Sequence, residues 1–338
     1  MINIAISGFG RIGRVAFRAS VDYADQVKIA AINTSGSMDI EGWVHLLKYD
    51  SVYGRFKKEI SFEKSKEENE IGKLVLDGQK IPVLAVREPK SIPWKKYQVK
   101  VVLDATGAFR DRSFLKGHLD AGAKKVVVSA ISKDTETIVM GVNQEKYKGG
   151  LIVSNASCTT NCVAVVSKII KDEFGIQKSF MSTIHAYTSN QNLVDASHKD
   201  LRRARSAPVN IIPTSTGAAE ATAKVIPSLS GIFEGSAYRV PIVGGSLIEL
   251  IILTTKRVSV KEVNQVFKNA SEKDYRGIVG TTDEPLVSTD ILGRSESAIV
   301  DLSLTQVIDQ DLVKIVAWYD NEWGYSCRLI EEAIFIGA

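Results

Sequence analysis

Three cysteines in 338 residues are too few for a secreted disulfide framework. No apolar run approaches the roughly 18 residues that a transmembrane helix requires, and no internal repeat or low-complexity segment interrupts the chain. Charge of one sign is also lacking. The net charge of +4 permits an acidic small-molecule partner without demanding one, and it gives little support to nucleic acid as the principal partner. Met1-Ile2-Asn3-Ile4-Ala5-Ile6 enters a strand directly, without a charged n-region or cleavage site, so a cytoplasmic, non-membrane protein is expected. What the chain does have is 44% hydrophobic content. That suffices for substantial cores, and the length suggests two domains.

One of the cysteines stands out. Leu151-Ile152-Val153 reads as the end of a buried strand, while Val163, Val166, Ile170 and Phe174 recur at helical spacing until Gly175, a stop signal. Within Ser154-Asn155-Ala156-Ser157-Cys158-Thr159-Thr160-Asn161-Cys162, Cys158 therefore falls at a helix start. There unpaired N–H groups and the positive end of the macrodipole are expected to lower a thiol's pKa and to hold an anion or a developing oxyanion. Cys162, one turn on and flanked by apolar residues, reads as a small core hydrophobe. The two sulfurs alone make neither a disulfide at helical i, i+4 spacing nor a metal site.

The first half reads as a dinucleotide-binding domain. After strand Ile4-Ala5-Ile6-Ser7 come Gly8-Phe9-Gly10-Arg11-Ile12-Gly13, a helix through Val15, Phe17 and Ala19, and a second strand at Val27–Ile32. Glycines at this spacing allow a tight turn, close backbone approach to a pyrophosphate and helix-on-strand packing. Further parallel-type strands are expected at Val101–Leu103, Lys125–Val128 and Ile138–Met140. Where an NAD site carries an acid for the adenine ribose, this chain has Asn33-Thr34-Ser35. Two hydroxyls and an amide there could donate to a 2′-phosphate, so selection against NADP is reduced.

In the second half, Ser182-Thr183-Ile184-His185-Ala186-Tyr187 alternates like a strand and presents one of only four histidines. Alone it would be read as structural. Beside a nucleophilic cysteine, His185 becomes the candidate base for a thiol that attacks an aldehyde. The run His198-Lys199-Asp200-Leu201-Arg202-Arg203-Ala204-Arg205, the loop Pro213-Thr214-Ser215-Thr216-Gly217 and Arg239 bring guanidinium forks near hydroxyls, a combination suited to phosphate or carboxylate. RNA binding by the basic run ranks below small-anion binding, because interleaved aromatics are absent.

Along nearly its whole length the chain resembles phosphorylating glyceraldehyde-3-phosphate dehydrogenases. The resemblance is carried in order by Gly8–Gly13, Leu46-Leu47-Lys48-Tyr49-Asp50-Ser51, Ser154–Cys162, Lys199–Arg205 and Trp318-Tyr319-Asp320-Asn321-Glu322. It implies an α/β architecture: a Rossmann-type doubly wound parallel sheet over residues 1–157, completed by a C-terminal helix at 321–338. An α+β catalytic domain with a mixed, largely antiparallel sheet would span 158–320. It further implies that Cys158 forms a thiohemiacetal and then a thioester, that His185 is the base and oxyanion stabiliser, and that inorganic phosphate releases an acyl phosphate. Thr188 and Arg239 would bind the substrate's own phosphate; Ser157, Thr159, Thr216, Gly217 and Arg203 would bind the incoming one. Asn321 would hold the nicotinamide carboxamide, with Thr106, Gly107 and Ser129 lining the cofactor cleft. A homotetramer is implied, whose loop at about 186–212 reaches a neighbouring cofactor site.

The departures from the family pattern are informative. Thr34 replaces the NAD-type acid, and Ala196-Ser197 replaces a Leu-Pro pair. Ser197 resembles the arrangement of the photosynthetic NADP-using members, and Arg87 is a further counter-charge for a 2′-phosphate. NADP, or dual use favouring it over NAD, is therefore expected. Asn190 stands where an aspartate is usual, which should leave Arg239 less neutralised. Glu220 replaces a lysine, Ser7 an asparagine, and Pro241–Ser246 departs from the common Pro-Thr-Pro-Asn-Val-Ser. Erythrose-4-phosphate dehydrogenase, with the same cysteine chemistry, is the alternative enzyme. An RNA- or partner-binding protein is the alternative of another class.

Overall fold

Apolar runs bounded by glycine and polar turns become the strands of two separate sheets in the computed structural model of the chain, which describes residues 1–108, 111–132 and 134–338. Two compact units result, one of residues 1–138, 146–156 and 326–338, the other of 139–145 and 157–325.

The first unit is built on nine strands: β1 (Ile2–Ser7), β2 (Val27–Asn33), β3 (Ile60–Glu63), β4 (Glu70–Leu76), β5 (Gln79–Leu84), β6 (Val101–Asp104), β7 (Lys125–Val128), β8 (Glu136–Thr137) and β9 (Ile152–Ser154). Their order is β8-β9-β7-β6-β1-β2-β5-β4-β3. From β8 to β5 the pairing is parallel, and the β5-β4-β3 edge is antiparallel. All four residues of β6 are buried, as expected of a strand covered on both faces, whose sequence then shows no polar alternation. From β1 the chain proceeds to β2 on one side, whereas β6 returns to its other side. The carboxyl ends of β1 and β6 therefore flank a topological switch point, the usual position for a ligand in such sheets. Helices α1 (Arg11–Ala19), α2 (Ile40–Lys48) and α3 (Arg112–Asp120) belong to this unit.

The apolar segment Ile138–Met140 is not a strand. Pairing with β9 runs through Glu136 and Thr137 instead, and one further bond from Ile138 N to Ser154 O precedes a turn at Gly141, φ +83°. Ile138 and Val139 are apolar because they are buried at a turn, and a short apolar run alone cannot distinguish this from a strand.

Helix α7 (Trp323–Gly337) joins the first unit from Ser326 onward. Tyr23 donates to Glu331 at 2.7 Å and Lys125 Nζ to the Ile336 carbonyl. The next residue, Glu332, is fully buried, and neither carboxyl oxygen has a hydrogen-bond partner among the described residues. Burial pushes this carboxyl well above its ordinary value of 4.5. The folded chain thus holds a proton that the unfolded chain releases. Stability is full below the unfolded value and falls as pH rises toward the folded one. Replacing Glu332 by the similarly sized Met should stabilise by about 1–3 kcal/mol. In melts followed by circular dichroism the gain should be larger at pH 8 than at pH 5; a gain independent of pH would show that the carboxyl is not the source.

The second unit holds α4 (Cys158–Phe174), α5 (Ala218–Val225), α6 (Val260–Glu272) and eight strands: β10 (Ile176–Ala186), β11 (Ile212–Thr214), β12 (Phe233–Val240), β13 (Ser246–Thr254), β14 (Val279–Thr282), β15 (Ala298–Asp301), β16 (Gln306–Ile308) and β17 (Leu312–Tyr319). The sheet order is β11-β12-β10-β13-β17-β15-β14, with β16 also on β17. Only β10-β12 and β14-β15 are parallel, so the sheet is mixed and largely antiparallel. Its central strand β13 alternates buried and half-buried residues throughout, the period-2 signature of a sheet with one face in the core. Buried α4 ends at Gly175, whose φ of +73° suits glycine. A Cβ there would lie 2.6 Å from the Thr255 hydroxyl. Among the described residues no helix is long and apolar enough to cross a membrane.

Candidate active site

Cys158 is the first residue of α4, and Ser157 is its N-cap, the Ser157 hydroxyl accepting from Thr160 N at 3.1 Å. That hydroxyl also shares a 2.7 Å hydrogen bond with the Thr160 side chain. The cap orients the first turn and leaves its free N–H groups around the thiol. Cys158 Sγ lies 3.4 Å from His185 Nε2. Cys158 is half-buried, whereas Cys162 is fully buried and its thiol is pushed well above the ordinary range by burial. The two cysteines thus differ as the sequence predicts. Among the described residues no cluster of three metal-ligating side chains occurs.

The imidazole is held from behind. Nδ1 lies 2.7 Å from the Ala186 carbonyl and 2.6 Å from Arg239 Nη1, which itself donates to that carbonyl at 2.9 Å. Nδ1 can donate to the carbonyl or accept from the guanidinium, but one nitrogen cannot do both at once. With the proton on Nδ1, Nε2 presents its lone pair to the thiol. The arrangement follows from sheet register: in the parallel pair β10-β12, His185 stands opposite Arg239.

The charges correct one expectation. Burial and the adjacent Arg239 lower His185 from 6.5 to about 3, with Arg203 adding to the effect and the Ala186 carbonyl opposing it. Burial raises the Cys158 thiol, against the pull of Arg239 and of hydrogen bonding from Thr159. The sequence predicts a thiol lowered by the helix terminus. In the structure both groups are driven toward neutrality, because desolvation outweighs the helix terminus. The arrangement is that of a neutral base beside a neutral acid.

Two supporting side chains escaped the sequence reading. Tyr319, from β17, meets His185 edge-on at 5.9 Å between ring centroids, and its hydroxyl lies 2.9 Å from both Thr159 and Thr183 hydroxyls. It fixes the first turn of α4 against the strand that carries the base. Ser246 accepts from Ala186 N at 3.1 Å and donates to Asn321 Oδ1 at 2.9 Å. Asn321, buried, is thereby oriented with its amide nitrogen left as the donor. Tyr319 lay inside a recognised motif; Ser246 gave no signal, since its role depends on two strands meeting.

The anion-binding candidates divide into groups. Arg239 faces the imidazole. Arg203 donates to the Thr214 hydroxyl at 2.8 Å, to Asn190 Oδ1 at 3.2 Å and to the Ser215 carbonyl at 3.4 Å. Asn190 also meets His198 Nε2 at 3.1 Å. The substitution at Asn190 therefore bears on Arg203, and the expectation that it leaves Arg239 less neutralised is corrected: the loop after β10 carries Asn190 to the basic segment. Thr216 accepts from Ala218 N at 3.1 Å, and Gly217 is the N-cap of α5 with no side-chain cap, which leaves N–H donors for an anion. Thr188 Oγ1 accepts weakly from Asn190 N at 3.4 Å. The Thr159 hydroxyl is engaged by Tyr319 and that of Ser157 by the cap, so each would have to share its bonds with a phosphate.

In the first unit, the glycine turn fits a dinucleotide phosphate. Gly8 has φ +92°, and a Cβ there would come within 2.5 Å of Thr106 N; one at Gly13 would lie 2.0 Å from the Gly8 carbonyl; one at Gly10 would meet nothing within 4 Å. The open face at Gly10 precedes α1, which has neither a side-chain cap nor an acid in its first turn. Of the neighbours, Phe9 is buried against Phe17 and Trp43, and Arg11 pairs with Asp50, so these positions and Ile12 offer backbone to a ligand. Gly107 is open with φ +67°, and Ser129 N is bound to the Asp104 carbonyl at 2.9 Å. At the end of β2, Asn33 exchanges hydrogen bonds with the Val86 backbone at 3.0 Å, and buried Thr34 donates to the Leu84 carbonyl at 3.0 Å. Their polar groups are largely spent on β5 and the loop beyond it. Of the expected donors, Ser35, bonded to Ser37 at 2.9 Å, and exposed Arg87 remain. Ser197 is exposed in the second unit.

Comparison with known proteins agrees with this division. Residues 2–112 match the family model of the glyceraldehyde 3-phosphate dehydrogenase NAD binding domain, and residues 157–321 that of the C-terminal domain. Glyceraldehyde-3-phosphate dehydrogenase 2 of Bacillus subtilis is 45% identical over 98% of this chain and 95% of its own. The glyceraldehyde-3-phosphate dehydrogenases of Streptomyces coelicolor and Mycobacterium tuberculosis are 46% and 48% identical, over 99% of this chain and 98% of theirs. The chain belongs to the glyceraldehyde-3-phosphate dehydrogenase family.

Proposed function

We propose that this protein oxidises D-glyceraldehyde 3-phosphate, with inorganic phosphate and NADP or NAD, to 1,3-bisphosphoglycerate, the reversible step shared by glycolysis and gluconeogenesis. The observation that carries the reading is the 3.4 Å approach of Cys158 Sγ to His185 Nε2 at the start of a buried helix. As the sulfur attacks the aldehyde carbon, its proton passes to Nε2; the imidazolium and the N–H groups of the first turn of α4 stabilise the resulting oxygen. The imidazolium gives that proton to the oxyanion, and the resulting thiohemiacetal hydroxyl returns it to Nε2 as the carbon is oxidised to a thioester. The nicotinamide cofactor, when bound, supplies the two-electron acceptor for that oxidation. A phosphate oxygen displaces the thiolate, which leaves the acyl phosphate and a thiol restored by the proton on Nε2.

Arg239 and Thr188 hold the phosphate already on the substrate, whereas Arg203, Thr216, Gly217, Thr159 and Ser157 receive the second one. An anion that draws the Arg239 guanidinium off Nδ1 also removes the positive charge that most depresses the imidazole, so substrate binding readies the base. Asn321 Nδ2 holds the carboxamide, and the glycine turn, Thr106, Gly107 and Ser129 hold the rest of the dinucleotide. Exposed Leu193, Val194, Leu201, Val209 and Ile211 support the reading that loop 186–212 packs on another copy in a homotetramer. A reducing, cytoplasmic compartment suits the thiol.

Preference for NADP rests on the absence of an acid at Thr34, with Ser35, Arg87 and Ser197 as counter-groups, rather than on donation by Asn33 or Thr34. In Thr34→Asp, the Gly36 N–H that now meets Thr34 Oγ1 at 3.2 Å would hold the new carboxylate at the strand end. NADP efficiency should fall at least tenfold, about 1.4 kcal/mol, with NAD affected less. Initial rates with both nucleotides across phosphate concentrations test this, and a wild type preferring NAD more than tenfold would defeat it. Parallel rates with D-erythrose 4-phosphate decide against the alternative sugar if the three-carbon substrate is the more efficient.

A further inference from the structure

We infer that His118 is a positioning residue for the cofactor, acting through a buried chain from Trp94 to the loop that faces the glycine turn. The inference rests on the reading that the first unit binds a nicotinamide dinucleotide. Trp94 Nε1 donates to His118 Nδ1 at 2.9 Å, which fixes the imidazole proton on Nε2, 3.1 Å from Asp104 Oδ2. The other oxygen of Asp104 accepts twice from Thr106, from its backbone N at 3.0 Å and from its hydroxyl at 2.6 Å. The Thr106 hydroxyl in turn accepts from Ala108 N at 3.2 Å. Trp94 and His118 are 0% exposed and Asp104 1%.

These three therefore lie in the interior, where an apolar filling would avoid the desolvation cost of a carboxylate and an imidazole, and half-buried Thr106 carries the line to the surface. The place where the chain ends gives it a purpose. Asp104 is the last residue of β6, and Ala105–Gly107 leave the sheet at the switch point beside β1. The Thr106 backbone is so close to Gly8 that a Cβ there would clash at 2.5 Å. Asp104 can hold Thr106 in this position only if its own orientation is set, and His118 is the group that sets it. Trp94 removes the imidazole's freedom to present the wrong nitrogen. The line thus fixes one wall of the dinucleotide cleft without touching the ligand.

The test is the binding of NADP⁺ and of NAD⁺, measured by calorimetry, together with kcat and KM, in the full-length wild type and in His118→Phe, His118→Gln and Trp94→Phe. In His118→Phe both dissociation constants should rise roughly tenfold, with the NADP:NAD ratio and kcat at saturating nucleotide unchanged. Glutamine can donate to Asp104 from nearly the same position, so His118→Gln should recover most of the loss. Trp94→Phe should fall between. If His118→Phe does not fold, the comparison of Trp94→Phe with wild type carries the test. Unchanged affinities in the folded variants, or a glutamine no better than phenylalanine, would overturn the inference while leaving the proposed function intact. A wild type that binds neither nucleotide would overturn both.

Discussion

Cys158→Ser should reduce kcat by 10⁴-fold or more, since removing a nucleophile that acts in concert with its base costs on the order of 10⁴–10⁶. Serine keeps the size, and the cap at Ser157 and the Tyr319 contacts are untouched, so the loss would be chemical. Its hydroxyl is far less acidic than a thiol, and no charged imidazole stands ready to compensate, because Arg239 and burial hold His185 at about 3. A pre-steady-state burst should vanish along with turnover. Retention of more than a few per cent of wild-type activity would show that another group attacks the aldehyde. Cys162→Ser, in contrast, should behave as a core substitution and lower stability with no change in burst amplitude per folded enzyme.

The second large effect concerns the base. His185→Asn should lower kcat/KM by about 10²–10⁴-fold and change the form of its pH dependence. On the proposed mechanism, the competent form of the wild type is thiol beside neutral imidazole. It exists above the depressed imidazole value of about 3 and below the raised thiol value, so the rate should be nearly flat from pH 6 to 8. Without the imidazole, only the thiolate attacks. Its fraction rises tenfold per pH unit below the thiol value, and the variant's rate should follow. Alkylation of Cys158 by iodoacetamide across the same range gives an independent reading. A variant as flat with pH as the wild type would exclude His185 from the proton transfer.

Much of this site was legible in the sequence because it lies in local signals. The start of α4 at Cys158 follows from a strand end, helical apolar spacing and a glycine stop, and the glycine turn from its spacing before α1. Contacts made across strands were not legible. Tyr319 reaches Thr159 and Thr183, and Ser246 reaches Ala186 and Asn321, over separations of 60–160 residues that no periodicity encodes. The same limit explains the corrections. Asn190 was assigned to Arg239 by analogy of position, whereas the fold brings it to Arg203. Thr34 and Asn33 look like free donors in the chain, but neighbouring backbone consumes them. The thiol's shift runs opposite to the sequence expectation because helix position is visible in sequence and desolvation is not. Ile138–Met140 failed for a related reason: burial at a turn and burial in a strand select the same apolar residues.

The opposition of His185 and Arg239 on neighbouring parallel strands has a consequence of parity. Successive residues of a strand alternate between its two sides, so adding or deleting one residue within Phe233–Tyr238 would invert everything beyond it. The guanidinium would then project away from the imidazole, and the base would lose both its anion partner and its electrostatic restraint in a single event. A change of two residues would shift Arg239 along the strand yet keep it on the same side. Over evolutionary time this stretch should therefore accept even-numbered length changes more readily than odd ones, a constraint imposed by the pleat itself and independent of which side chains line it.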